Sequence, residues 1–161
     1  MIMKRLLIWL MAMVPFLAAK AGDGDSHITI NAGILAPYTL DATIGYEHPL
    51  GYSNAVEIYG EGGNHWQKPV CHMFWKGWFW DGGVLFKHRL ARFKNGGFRV
   101  LGGLHTGMNQ QDYFFGVEAG FEYNYVFPNN WVFSVRQKNT VNFLHGDVFR
   151  CGVMVGVKIP L

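Results

Sequence analysis

The feature that most constrains this sequence is the stretch at residues 113–141, in which apolar and polar positions alternate with a period of two. At 113–127 the odd positions are aromatic or aliphatic, whereas most even positions are carboxylates, glycines and an amide. Successive side chains of a β-strand point to opposite faces, so this period indicates a strand. Residues 128–130, Pro-Asn-Asn, have the composition of a turn, and the alternation resumes at 131–141. The sequence therefore predicts a long antiparallel hairpin.

The length of this hairpin distinguishes a membrane strand from an ordinary one. Residues 113–127 form a run more than twice as long as the usual strand of about 5–6 residues. A tilted strand needs about 9–11 residues to cross the hydrocarbon of a bilayer, so a long apolar face suits a transmembrane barrel. A half-buried strand of a soluble domain also alternates, which leaves a secreted β-sandwich as the competing class.

The first 21 residues have the parts of a secretory signal peptide. A basic start at Lys4 and Arg5 precedes an apolar run at 6–17, and the small residues Ala19 and Ala21 precede a polar segment. The apolar run is shorter than the ~20 residues that a membrane-anchoring helix needs. We therefore predict cleavage after Ala21, with residues 1–21 as the signal peptide and 22–161 as the barrel domain.

Removing this leader changes the charge balance. Lys4, Arg5 and Lys20 leave with it, so the basic residues of the mature chain equal its 11 acidic residues. No basic stripe of the kind that binds nucleic acid remains, and we expect no direct nucleic-acid binding. Half of the sequence is hydrophobic, but its apolar residues are dispersed by alternation rather than collected in a helical span. Export to the outer membrane is the expected outcome.

Eight alternating segments are present in all. Besides the hairpin they lie at 27–36, 39–48, 55–61, 98–108 and 149–161, with a fourth strand that is hard to read. That strand either runs from about residue 71 to 92 with a break at Gly82 and Gly83, or begins near Gly83. Single-chain bacterial barrels have an even number of strands, with short turns on the periplasmic side. Short turns are predicted at 49–53, 94–97 and 128–130. The predicted fold is all-β: an eight-stranded antiparallel up-and-down transmembrane β-barrel.

The two faces of the predicted barrel differ in chemistry. Phe121, Val153 and Val155 are assigned to lipid, whereas Gly120 and Gly152 share the inward parity. Counting back from the hairpin turn places Glu122 opposite Arg136 on the inward face. The candidates for interior charge pairs are Glu118, Glu122, Arg136, Lys138 and Arg150. The remaining inward-parity charges are Asp41, Glu47, Glu57, Glu61, Arg99 and Lys158.

An eight-stranded barrel is just wide enough for side chains to fill it. Neutralising pairs are therefore favoured over an ion pathway, which is the alternative for the same residues. Aromatic residues near the predicted periplasmic ends suit an interfacial girdle; they are Tyr46, Tyr123, Tyr125, Phe127 and Trp131. Cys71 and Cys151 are too few for a disulfide framework. A single bridge between them is left open, although Cys151 has the lipid-facing parity.

Catalytic and metal-binding patterns are weak. The seven histidines are scattered without a Cys/His cluster, and a metal site needs three or four convergent ligands. An acyl-transfer or deacylation enzyme acting on membrane lipid would need a His beside a Ser or Asp at the outer rim. The available pairs are His145 with Asp147 and His105 with Thr106, and no Ser of the mature chain falls in a predicted outer loop. We predict no catalytic residues, no metal, no cofactor and no small-molecule substrate, with the lipid enzyme as the alternative.

The second half of the chain resembles the TraO family of conjugative-transposon transfer proteins. The resemblance rests on residues 115–125, FGVEAGFEYNY, on the Val-Arg-Gln segment at 135–137 and on the ending at 149–158. It covers about the last fifty residues well, and the earlier strands only in pattern. It implies a non-enzymatic outer-membrane component of a DNA-transfer apparatus. The expected partners are outer-membrane lipid and other proteins of that apparatus; the residues alone indicate only a small structural barrel.

Overall fold

The computed structural model describes residues 26–36, 39–65, 77–109, 113–143 and 149–161. These ranges form eight strands in one closed sheet, in which each strand pairs antiparallel with the next and β1 pairs with β8. The strands are β1 (His27–Ala36), β2 (Thr39–Pro49), β3 (Asn54–His65), β4 (Trp78–Phe93), β5 (Gly96–Asn109), β6 (Tyr113–Val126), β7 (Val132–Asn142) and β8 (Phe149–Pro160). The predicted fold class is confirmed. Among these residues no helix is long and apolar enough to span a membrane.

The strand bounds differ from prediction mainly in β3 and β4. β3 continues to His65, and β4 begins at Trp78 rather than near Gly83. Gly82 and Gly83 do not break β4, because they pair with Gly60 and Tyr59 in an uninterrupted register. Residues 66–76, including Cys71, lie outside the described ranges, and so does the signal peptide at 1–21.

The two ends of the barrel are distinct. One end, which we call the turn end, carries the connections at 50–53, 94–95 and 127–131 together with the described start and end of the chain, where the Leu161 amide donates to the Ser26 carbonyl at 2.9 Å. The loop end carries the other four connections. Two positive φ angles, 96° at Gly51 and 64° at Asn130, lie in the short turns, where Gly and Asn are the residues that tolerate them.

The β6–β7 turn sets the register of the hairpin. The Phe127 amide donates to the Trp131 carbonyl at 2.8 Å, which closes the turn at the pair assumed from the sequence. Counting from it, the structure pairs Glu122 with Arg136. Phe127 and Trp131 themselves lie just outside the strands, so β6 ends one residue earlier than predicted and β7 is displaced by one residue, to Val132–Asn142.

The outward face is apolar and the inward face is polar, as the alternation predicts. Phe121, Val153 and Val155 are each about half exposed, at 47%, 52% and 51%, whereas Glu118 is 2% exposed. A soluble monomer rarely exposes so continuous an apolar surface. Together with the closed sheet, which leaves no strand edge within the wall, this surface suits lipid. Cys151 carries a free thiol at an outward, half-buried position.

Interior glycines make the space that large inward side chains need. A Cβ added at Gly83 would lie 2.7 Å from the hydroxyl of Tyr59 and 2.7 Å from the Leu104 carbonyl oxygen. At Gly152 the added carbon would overlap the backbone of Ile34 and Leu35. At these inward glycines, the backbone of an adjacent strand or an aromatic ring occupies the volume that a side chain would need.

Candidate functional site

The half of the lumen nearer the turn end holds a network of charged side chains, which we call the lower network: Glu47, Glu57, Glu122, Lys87, Arg99, Arg136 and Lys158. The Lys87 ammonium lies at its centre, 2.6 Å from Glu47 and 2.9 Å from Glu122, and also contacts Glu57. All four side chains are at most 4% exposed. Buried charges are tolerated when they are paired and hydrogen-bonded, and this network satisfies both conditions.

The predicted pair of Glu122 and Arg136 is part of this network. The Arg136 guanidinium lies 3.0 Å from Glu122 and 2.6 Å from Glu57. Lys158 on β8 lies 2.6 Å from both Glu122 on β6 and Glu47 on β2. The predicted contact between Glu122 and Arg136 is therefore present, and the structure adds that each of the two ions has further partners.

A second group of charges, the upper network, lies toward the loop end and consists of Lys138, Asp41, Glu61, Glu118 and Tyr59. Lys138 contacts Glu61 directly and lies 3.2 Å from Asp41 and 3.9 Å from Glu118. The Tyr59 hydroxyl donates a 2.6 Å hydrogen bond to Glu118. The predicted candidates Glu118 and Lys138 therefore lie in one cluster, although their own contact is the longest within it.

Arg150 was a candidate for an interior charge pair, but the side chains that it contacts are aromatic. Its guanidinium carbon lies 4.2 Å from the ring centre of Phe79 and 5.6 Å from that of Phe114, a cation–π arrangement. Within the described part of the chain, no carboxylate lies within ion-pair distance of Arg150. The physical reason is its height in the barrel: the side chains in contact with the guanidinium are aromatic rings, and the Glu61 carboxylate acts on it only from beyond ion-pair distance. All three side chains are at most 3% exposed, so they fill the lumen at that end.

The lower network also resembles a metal site in one respect. Carboxylate oxygens of Glu47, Glu57 and Glu122 lie within 4.8 Å of one another, a spacing that suits a cation. The Lys87 ammonium contacts all three carboxylates. The cation on which these carboxylates converge is thus a side chain of the protein. Sequence patterns could not reveal this convergence, because the three carboxylates lie on three different strands.

One of the two catalytic pairs considered from the sequence, His105 with Thr106, does not form in the described structure. His105 points inward, with its Nδ1 3.5 Å from Asp81, whereas the Thr106 hydroxyl is on the other face and donates to the Phe114 carbonyl at 3.1 Å. Adjacent residues of a strand face opposite sides of the sheet, so the suggested pairing of His105 with Thr106 is wrong. His145 and Asp147 lie outside the described ranges.

A Ser–His contact that sequence analysis missed is present at the turn end. Ser26 Oγ lies 3.2 Å from His48 Nδ1 and accepts a 3.0 Å hydrogen bond from the Tyr46 hydroxyl. The pairing of β1 with β2 brings these residues together, because His27 lies opposite Glu47. That pairing could have been counted from the sequence once the two strands were taken as neighbours.

The closed sheet, the apolar outer wall and the filled polar lumen define a transmembrane-type β-barrel of eight strands. A solved structure described as "De novo design of transmembrane beta-barrels" matches it with a TM-score of 0.54 and 12% identity, covering 88% of this chain and 99% of that chain. At this identity the similarity concerns the fold alone. No protein-family model matches the chain, and neither does any curated protein.

Proposed function

We propose that this protein is a non-enzymatic outer-membrane barrel that serves a conjugative DNA-transfer apparatus. The fold supports a small structural barrel in a membrane. The resemblance of residues 115–125 and of the final strand to the TraO family supports the assignment to DNA transfer. The expected partners are outer-membrane lipid and other proteins of the apparatus, with no nucleic acid in the lumen.

The filled lumen is the observation that carries the structural role. Lys87, Arg136, Lys138 and Lys158 are each at most 1% exposed, and their charges meet carboxylates of other strands inside the lumen. The Arg150 cluster fills the loop end. A solute or an extended DNA strand would have to break these buried contacts, each of which is costly to leave unpaired. The protein therefore acts through its surfaces, with the turn end facing the periplasm, as in bacterial barrels.

The test is a donor strain from which the gene is deleted. DNA-transfer frequency to a recipient should fall and should return with the wild-type gene supplied separately. Protein purified from the outer membrane should show heat-shifted mobility on a gel and give no steady conductance in a planar bilayer. Unchanged transfer in the deletion strain would contradict the DNA-transfer role, whereas a steady conductance would contradict the filled lumen.

An acyl-transfer or deacylation enzyme is the second candidate, and the contact between Ser26 and His48 is the observation that favours it. In such an enzyme His48 would take the proton of the Ser26 hydroxyl as it attacks an ester. The matched variants are Ser26→Ala and Ser53→Ala, because Ser53 is an exposed turn serine that contacts no histidine within the described ranges. We expect that either variant, supplied to the deletion strain, restores DNA transfer fully and leaves the mass spectrum of the membrane lipids unchanged. Loss of a lipid modification in Ser26→Ala alone would identify the enzyme.

A further inference from the structure

One strand of the barrel extends past its neighbour at the turn end. The last β3–β4 pair is Asn54 with His88, and the Arg89 amide then donates to the Ser53 carbonyl at 2.7 Å. β4 nevertheless continues through Leu90–Phe93, a segment that we call the lip. The lip pairs with β5 alone, after a bulge that skips Leu90. Among the residues that the structure describes, none pairs with the other edge of the lip.

A free strand edge presents unpaired backbone N–H and C=O groups to an added strand. Proteins use such edges to bind extended peptides, with main-chain hydrogen bonds for affinity and neighbouring side chains for selection. The turn at 50–53 ends where the lip begins, so an incoming segment can lie beside Leu90–Phe93 without displacing β3. The exposed side chains of Leu90 and Phe93 provide apolar contacts next to this edge.

The charges around the lip select the kind of peptide. Arg89 lies directly opposite Arg99 on β5, and both Arg99 and Arg92 repel Arg89, which only Glu47 attracts among the described charges. Like charges directly opposite one another destabilise a sheet. Arg99 is neutralised by Glu47 at 2.6 Å, but in the described part of the chain no carboxylate lies within ion-pair distance of Arg89 or Arg92. An anionic partner would relieve this repulsion, and a second copy of the same basic lip would increase it.

We propose that the lip binds an extended acidic peptide segment of a periplasmic protein by strand addition. The segment lies beside Leu90–Phe93, and its carboxylates face Arg89 and Arg92. This inference rests on the barrel and on the turn end facing the periplasm, and it does not depend on the DNA-transfer role. The two can therefore fail separately.

The test uses the full mature barrel in lipid nanodiscs and a fluorescent hexapeptide of alternating glutamate and valine. Binding is measured by fluorescence anisotropy at about 0.15 M salt, where charges beyond about 8 Å are screened. Two control peptides separate the contribution of charge from that of backbone hydrogen bonds. In one, lysine replaces glutamate. The other is N-methylated at every second residue, which removes backbone donors but keeps the charge. We expect the acidic peptide to bind and both controls to bind about tenfold more weakly or not at all.

The protein variants locate the site. Arg92→Glu should weaken binding of the acidic peptide by about tenfold, whereas Asn129→Glu in the β6–β7 turn at the same end should change it less than about twofold. Both variants must retain heat-shifted mobility, which shows that the barrel is folded. Absent binding, equal binding of the N-methylated peptide, or equal loss in both variants would each overturn the proposal. Dimers of the wild-type barrel formed through the lip would overturn it in favour of a second copy.

Discussion

Replacement of Glu122 by Gln tests whether the lower network acts as one unit. Glu122 is fully buried and lies within 3.0 Å of Lys87, Arg136 and Lys158. Glutamine has nearly the same shape but removes the charge and turns an N–H group toward donors. Two carboxylates would then face the four cations of the network. Removing one side of a buried ion pair costs about 3–5 kcal/mol, and we expect about 4 kcal/mol for Glu122→Gln.

Replacement of Arg136 by Met should cost less. It leaves three carboxylates and three cations, and Glu57 and Glu122 both keep Lys87 as a partner. The loss is then mainly that of charged hydrogen bonds, worth about 2 kcal/mol. In the double variant, removing Arg136 also relieves the excess of cations that Glu122→Gln creates. We expect the double variant to lose about 4 kcal/mol, which is about 2 kcal/mol less than the two single losses combined.

The measurement is reversible urea unfolding in lipid vesicles, followed by tryptophan fluorescence and analysed as a two-state transition. Lys94→Met is the matched control, because Lys94 lies exposed in the β4–β5 turn and should change stability by less than about 0.5 kcal/mol. Strictly additive losses would show that the two residues are not coupled. A double variant as stable as the wild type would show an isolated pair and refute the network.

Three further predictions address the faces, the upper network and the leader. Val153→Arg should destabilise the barrel by about 2–4 kcal/mol in the same urea assay, whereas Val153→Leu should leave the free energy of unfolding nearly unchanged. Equal losses in the two variants would mean that this position does not face lipid. Tyr59→Phe removes the hydrogen-bond donor of buried Glu118 and should cost about 1–3 kcal/mol, against no measurable change for Tyr52→Phe at an exposed turn. Leu7→Arg should block export, because a charge in the apolar leader costs about 2.5–3.5 kcal/mol on insertion; normal amounts of processed protein in the outer membrane would contradict it.

The sequence was sufficient for most of the strands, for their two faces and for the nearest pairing across the hairpin. These properties are local, since a period of two assigns each side chain to a face and a short turn fixes the register of its own two strands. Glu122 could be placed opposite Arg136 in this way because only 14 residues separate them. Phe121 and Val153 could be assigned to lipid for the same reason.

The sequence was insufficient for the fourth strand and for Arg150. Aromatic residues crowd the start of β4 on both parities, so the period of two is lost there, and Gly82 and Gly83 have the composition of a break. Only the pairing of Gly83 with Tyr59, whose ring uses the space of the missing side chain, explains why a glycine belongs within that strand. Arg150, like Arg136, occupies a strand position that faces inward. The alternation gives that face, but it does not show which side chains of other strands lie at the same level along the barrel axis.

Only the closed barrel decided which charges meet across the lumen. Arg136 reaches Glu57 across 79 positions of sequence, and Lys158 reaches Glu47 across 111. These contacts depend on the tilt and register of all eight strand pairs together, because closure sets the height at which opposite walls face one another. The alternation, the strand length and the strand count therefore predicted a barrel with a charged interior. The tertiary structure decided that the interior is one connected network at the turn end, a second around Lys138, and a layer of aromatic rings around Arg150 at the loop end.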